Sequence, residues 1–125
     1  MSKKILETKN APGAIGPYSQ GVEANGLVIT SGQLPINPET GKLITEIKSA
    51  TKQSLENCKA ILEAAGLTMD NVIKTTVFLR DMNDFAAMNE AYAEYFKQNP
   101  PARSAVQVAK LPKDGILEIE VIAVR

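Results

Sequence analysis

The sequence predicts an α+β fold, a two-layer domain in which two helices cover one face of a mixed β-sheet. Several runs alternate between apolar and other residues with a period of two, which is typical of strands. Two longer segments instead carry apolar residues at helical spacing. The pair Asn25-Gly26 lies between two apolar runs and predicts a tight hairpin turn, because both central residues of that turn need positive φ. The predicted order of elements is β-β-β-α-β-α-β-β.

The first third of the chain predicts three short strands and two loops. Residues 5–7 form a short strand candidate, and residues 21–24 and 27–31 flank the Asn-Gly turn. Residues 10–20 and 35–41 each contain two or more proline or glycine residues, which favours irregular loops.

The middle of the chain predicts a helix, a strand and a second helix. Residues 47–65 carry an apolar stripe, and Gly66 can end that helix in a left-handed conformation. Residues 71–80 are rich in β-branched side chains, which favours a strand. Asp84 is placed to cap the second helix, and Pro100-Pro101 is expected to end it. The apolar positions of the second helix are Phe85, Met88, Tyr92 and Phe96.

Two further predicted strands, residues 103–109 and 116–122, carry opposite charges. Alternation gives the first strand one face with Arg103, Ala105 and Gln107, and another with Ser104, Val106 and Val108. The second strand has a purely apolar face and an opposite face that mixes Glu118 and Glu120 with Ile and Val. We therefore predict that this mixed face is covered and holds the guanidinium of Arg103 and the carboxylate of Glu118 in one cleft.

The sheet face away from the helices, called the open face below, is also predicted to be partly apolar. Alternation along residues 71–80 gives it either Val72 and Phe78, or Ile73, Val77 and Leu79. Contiguous apolar surface of this kind usually marks an interface. We expect an obligate homo-oligomer that buries the open face.

Composition limits the possible chemistry. A chain of 125 residues predicts one domain, 1–125, and a formal net charge of zero favours neither nucleic acid nor an anionic membrane. The chain contains no histidine, which excludes catalytic dyads and triads built on that residue. Cys58 is the only cysteine, so a zinc site is not expected. A single cysteine and an N-terminus without the apolar core of a signal peptide predict a cytoplasmic protein.

Six short motifs occur in an order that resembles the Rid family of reactive-intermediate imine/enamine deaminases, also called the L-PSP endoribonuclease family. The resemblance extends over nearly the whole chain. The motifs are Ala14-Ile15-Gly16-Pro17-Tyr18, Ile29-Thr30-Ser31-Gly32-Gln33, Ala64-Ala65-Gly66-Leu67, Lys74-Thr75-Thr76-Val77-Phe78, Pro101-Ala102-Arg103-Ser104 and Glu118-Ile119-Glu120.

The resemblance implies a chorismate-mutase-like fold and a homotrimer with active sites in clefts between subunits. It also implies hydrolysis of 2-imino acids, such as 2-iminobutanoate and 2-iminopropanoate, to 2-oxo acids and ammonia, with no cofactor. Arg103 resembles the residue that clamps the substrate carboxylate, which suits a side chain able to donate two parallel hydrogen bonds. Glu118 resembles the residue that orients and deprotonates the attacking water.

Other positions resemble residues that line the family's pocket. Tyr18 resembles a hydrogen-bonding residue there, Gly32 can offer a main-chain group, and Ala105 stands where many members carry cysteine. Ser31 and Asn89 also match pocket positions. From the residues alone, Arg103 and Glu118 could instead form ordinary ion pairs, with Lys74 or Arg80 as partners of Glu118, and alternation does not distinguish Glu118 from Glu120. Cys58 lies on the apolar stripe of its helix and is expected to be a buried structural residue.

Two other functions compete with the deaminase. RNA cleavage or translation inhibition is attributed to members of the family, but the chain lacks a histidine pair, a net positive charge and many aromatic residues. A non-catalytic binder of small carboxylates is the other alternative. The presence of both Arg103 and Glu118 favours the enzyme.

Overall fold

The computed structural model describes residues 2–125; Met1, the first residue of the predicted domain, lies outside the described residues. The eight main elements follow the predicted order, and the α+β fold class is confirmed. They are β1 (Lys4–Leu6), β2 (Gly21–Ala24), β3 (Leu27–Thr30), α1 (Ile47–Ala64), β4 (Val72–Leu79), α2 (Phe85–Ala93), β5 (Ala102–Gln107) and β6 (Leu117–Val124).

The strands form one six-stranded mixed sheet with the order β1-β2-β3-β6-β4-β5. Strands β4 and β5 pair in parallel, and the other neighbours pair antiparallel. The hydrophobic core lies between the sheet and the helices, with Leu55 and Ile61 of α1, Met88 of α2, and Leu117 and Ile119 of β6 fully buried. Within residues 2–125, no helix is long and apolar enough to cross a membrane.

Local sequence explains where several elements begin and end. Asn25 and Gly26 have φ values of 52° and 79°, as the predicted hairpin turn requires. The carboxylate of Glu46 accepts hydrogen bonds from the backbone N–H groups at the start of α1. Gly66 has a φ of 79° and ends α1, while the N–H of Leu67 donates to the carbonyl of Leu62, which forms a Schellman motif.

The predicted start of α2 is confirmed, but its predicted side-chain cap and its predicted end are wrong. Asp84 precedes the helix, but its side chain makes no capping hydrogen bond; Asp81 instead accepts from Asn83 N and starts a 3₁₀ turn. The helix ends at Ala93, well before Pro100, because its last turn tightens into bonds between residues three apart.

Alternation along β4 predicted either Val72 and Phe78, or Ile73, Val77 and Leu79, on the open face. The open face carries Phe78, but neither of these sets is present in full. The strand register shifts between Val72 and Lys74, so the pairing leaves Ile73 as an extra residue. Val72 therefore lies in the core together with Val77 and Leu79. Exposed apolar residues on or beside the open face are Ile5, Leu27, Ile29, Ile73 and Val106.

Candidate active site

Arg103 and Glu118 lie on opposite faces of the sheet, so the prediction that one face holds both groups is wrong. In β5, Arg103 aligns with the buried Thr75 of β4 and points toward the helices. In β6, Glu118 aligns with Phe78 on the open face. Alternation fixes the faces within each strand, but the register between strands decides which faces coincide.

The carboxylate of Glu118 lies in a groove of about 660 Å³ on the open face. No hydrogen bond or ion pair joins this carboxylate to another side chain in the part of the chain that the structure describes. The alternative partners are engaged elsewhere: Lys74 Nζ donates to Ser104 Oγ at 3.3 Å, and Arg80 pairs with Asp114 at 3.5 Å. Tyr18, Ser31, Gly32 and Glu120 also line the groove.

Gly32 is needed because the side chain of Glu118 occupies the space that a larger residue would fill. A Cβ atom at position 32 would lie 2.7 Å from Cδ and 2.9 Å from Oε1 of Glu118. The backbone φ of Gly32 is not positive, so close approach rather than backbone conformation selects glycine. The segment is fixed beside β6 because Gln33 exchanges two backbone hydrogen bonds with Ile119.

The surroundings of Glu118 change the acidity of its carboxyl group. Glu118 is half-buried, and loss of hydration raises its carboxyl pKa above the ordinary value, with the nearby charge of Glu120 adding to the effect. A carboxylate that is raised in pKa and free of hydrogen-bond partners is a suitable proton acceptor. Glu118 therefore has the chemistry expected of a general base.

Tyr18 and Ser31 complete this side of the site through the loop before β2. Ser31 Oγ donates to the carbonyl of Ser19 at 2.5 Å, which ties the loop to the end of β3. The hydroxyl of Tyr18 accepts from Ile15 N at 3.3 Å, so its own proton remains free to donate. Gln20 is buried and binds the chain at Thr8, Ala11 and Pro12, a supporting role that the sequence did not reveal. Glu118, Gly32, Ser31 and Tyr18 are called the carboxylate half-site.

The guanidinium of Arg103 is held by neutral groups. Nη1 donates to Asn89 Oδ1 at 2.7 Å, and Cζ lies 4.8 Å from the ring centre of Tyr92 and 5.5 Å from that of Phe85. Among residues 2–125, no acidic side chain pairs with Arg103. Arg103, Asn89, Phe85 and Tyr92 are called the guanidinium half-site. A cation held on aromatic rings without a counter-charge is suited to an incoming carboxylate.

Ala105 and Cys58, both singled out in the sequence, pack against or within the hydrophobic core. Ala105 follows Arg103 on the same face and packs partly against the core. Cys58 is fully buried, and burial raises the pKa of its thiol to about 12. The interpretation of Cys58 as a structural residue is confirmed.

Phe85 and Tyr92 are the site residues that sequence reasoning missed, since it treated them only as apolar positions of a helix. Their spacing contained a signal. Phe85, Asn89 and Tyr92 follow each other at intervals of four and three residues, which places all three on one face of α2. A polar residue between two aromatic residues on a helix face indicates contact with a polar group rather than the core alone.

Comparison with known proteins gives one consistent result. A family model described as "Endoribonuclease L-PSP" matches residues 8–125. A RutC family protein of Pyrococcus horikoshii is 57% identical, with 97% of each chain covered. An Escherichia coli protein named 2-iminobutanoate/2-iminopropanoate deaminase is 53% identical, with 98% of each chain covered. The crystal structure of E. coli TdcF with bound serine has a TM-score of 0.95 at 54% identity and 98% coverage of both chains.

Proposed function

The chain belongs to the family described as endoribonuclease L-PSP, also called the Rid family, and from this premise we propose that it is a 2-imino acid deaminase. Its substrates are 2-iminobutanoate and 2-iminopropanoate, and its products are 2-oxo acids and ammonia. Highly similar relatives are named as deaminases of imino acids or of reactive intermediates, which supports this class of reaction.

The observation that carries the proposal is the guanidinium of Arg103, which is ordered by Asn89 and two aromatic rings yet has no acidic partner among the described residues. One of its five N–H groups is used by Asn89, so a pair remains for two parallel bonds to a carboxylate. All 2-imino acids present a carboxylate. The related TdcF was crystallised with serine, which carries the same group.

Glu118 supplies the remaining chemistry. Water adds to C2 of the iminium while Glu118 accepts a proton from that water. The proton then moves to the nitrogen of the resulting carbinolamine, which makes the nitrogen a leaving group. The C–N bond breaks, the hydroxyl loses its proton to Glu118, and the released ammonia carries that proton away. The products are the 2-oxo acid and ammonium, and Glu118 returns to its ionised form.

The two half-sites act together only if a second copy of the chain brings them together. In one chain the sheet separates Arg103 from Glu118, so a single subunit cannot hold one small substrate against both. We propose a homotrimer in which Arg103 of one subunit meets Glu118 of the next. The apolar residues of the open face, including Ile29 and Val106, favour such an assembly.

Mixed oligomers test both the reaction and the divided site. We expect Arg103→Ala and Glu118→Ala to be inactive toward 2-iminobutanoate generated in situ by a threonine dehydratase. In a cyclic oligomer assembled at random from equal amounts of the two variants, about a quarter of the interfaces combine an intact Arg103 with an intact Glu118. Co-expression of the two variants should therefore recover roughly that share of wild-type activity.

Two results would contradict the proposal. Absence of imine hydrolysis by the folded wild type would reject the deaminase for this substrate. Activity in the wild type without recovery in the mixed oligomers would reject the divided site, as would a monomeric mass for the active protein in light scattering at micromolar concentration. RNA cleavage gains no support from these residues, because the chain has no histidine and no net positive charge.

A further inference from the structure

The aromatic residues of α2 form a fixed support beneath Arg103. The ring of Tyr92 lies 4.8 Å from the guanidinium carbon, and the ring of Phe85 lies 5.5 Å from it. Tyr92 is almost fully buried, and its ring also packs against that of Phe96 at 4.8 Å between centroids. The surface that contacts the cation is therefore held by the core, whereas Arg103 itself lies on the edge strand β5.

Thr75 ties this support to the strand that carries Arg103. The hydroxyls of Thr75 and Tyr92 are 2.7 Å apart in a buried hydrogen bond. Thr75 is also the residue of β4 that aligns with Arg103 in the parallel pairing of β4 and β5. The Tyr92 ring is thus fixed in relation to the backbone position from which Arg103 extends.

The geometry points to Tyr92, oriented by Thr75, as a positioning residue that holds Arg103 ready for the substrate carboxylate. This inference rests on the proposed function, because it concerns the same carboxylate. An arginine side chain has many rotamers, and ordering such a side chain during binding weakens affinity by about 2- to 15-fold. The rings of Tyr92 and Phe85 order the guanidinium before the substrate arrives. Asn89 holds one nitrogen, and the two rings lie against the guanidinium group.

The test measures binding of 2-oxobutanoate, a carboxylate of the product type, by isothermal titration calorimetry. We expect Tyr92→Leu to weaken binding by about 2- to 15-fold and to raise KM more than it lowers kcat. The double variant Tyr92→Phe with Thr75→Val keeps the ring and removes both hydroxyls together, so neither is left without a partner. Its affinity should lie between the wild-type and Tyr92→Leu values, because the ring stays buried against the core but is no longer tied by Thr75 to the strand beside Arg103. Phe85→Leu removes the other ring at a half-buried position. It replaces Tyr92→Leu in the binding test if Tyr92→Leu does not fold.

Tyr95→Leu is the matched control. Tyr95 follows α2 and donates to Glu56 at 2.7 Å, and its ring makes no stacking contact with Arg103. If Tyr92→Leu or Phe85→Leu binds 2-oxobutanoate as the wild type does, or if Tyr95→Leu weakens binding equally, the positioning role is wrong. If the wild type itself binds no 2-oxobutanoate and hydrolyses no imine, the proposed function is wrong and this inference is rejected with it. The two failures are therefore distinguishable.

Discussion

Replacing Gly32 with alanine changes one contact of Glu118, the proposed general base, with little change elsewhere. The new Cβ would lie 2.7 Å from Cδ of Glu118 and 3.1 Å from its Cγ. Ordinary contact begins near 3.4 Å, so the carboxyl carbon would move by roughly 0.7 Å. Because the displaced atoms are the end of a flexible side chain on the open face, we expect the free energy of unfolding to fall by less than about 1 kcal/mol.

The displacement should lower the rate of hydrolysis far more than it lowers stability. A misplacement of about 1 Å in a catalytic group costs on the order of 10²-fold in rate, so a shift of this size predicts a loss of about 10- to 100-fold in kcat. The assay is decay of 2-iminobutanoate generated by a threonine dehydratase. Affinity for 2-oxobutanoate, measured in parallel, should change by less than about 3-fold, because Arg103 on the other face is not disturbed.

Gly13→Ala provides the control from the same groove. A Cβ at Gly13 would meet no atom within 4 Å, and its φ is not positive. We expect that variant to match the wild type in kcat and stability. If Gly32→Ala keeps wild-type kcat, the contact with Glu118 does not position the base. If both glycine variants lose activity equally, the effect belongs to the loop as a whole.

Two further predictions concern stability, measured as denaturant midpoints at equal protein concentration because an oligomer's stability depends on concentration. The raised pKa of Glu118 means that its ionised form is disfavoured in the folded state. Glu118→Gln should therefore be more stable than the wild type at pH 7, and the difference should vanish below about pH 4, where the wild-type carboxyl is protonated in both states. Equal stability at pH 7 would contradict this prediction. Ser54 Oγ is buried without a hydrogen-bond partner, so Ser54→Ala should raise the free energy of unfolding by about 1 kcal/mol. Thr51→Val, which removes a hydrogen bond to the carbonyl of Ile47, is the control and should lower that free energy by about 0.5–1 kcal/mol. If Ser54→Ala loses stability as Thr51→Val does, the hydroxyl of Ser54 has a partner and the prediction is wrong.

The sequence predicted those features that depend on a few neighbouring residues. Asn25-Gly26 specifies its turn through positive φ, and Gly66 ends α1 for the same reason. The register shift at Ile73 depends on pairing between strands, which no local pattern contains. The end of α2 was placed too late because its last turn tightens before the proline pair is reached. The candidate site residues were identified through family motifs. Phe85 and Tyr92 were missed, because an aromatic residue that supports a cation has the same spacing as one that fills the core.

Placement of Arg103 and Glu118 on opposite faces has a consequence for how each keeps its reactivity. Only β4 lies between the strands that carry Arg103 and Glu118. If their long side chains shared one face and paired across β4, the carboxylate would have a lowered pKa and a poor ability to accept a proton. The sheet prevents that pairing within a chain. Glu118 therefore keeps a raised pKa, and Arg103 keeps donors for a substrate. In the proposed trimer, the substrate lies between the two groups, with its carboxylate on Arg103 and its C2 atom toward Glu118, and the carboxylate neutralises Arg103 before the base acts. Division of the site between faces thus preserves both groups within each chain.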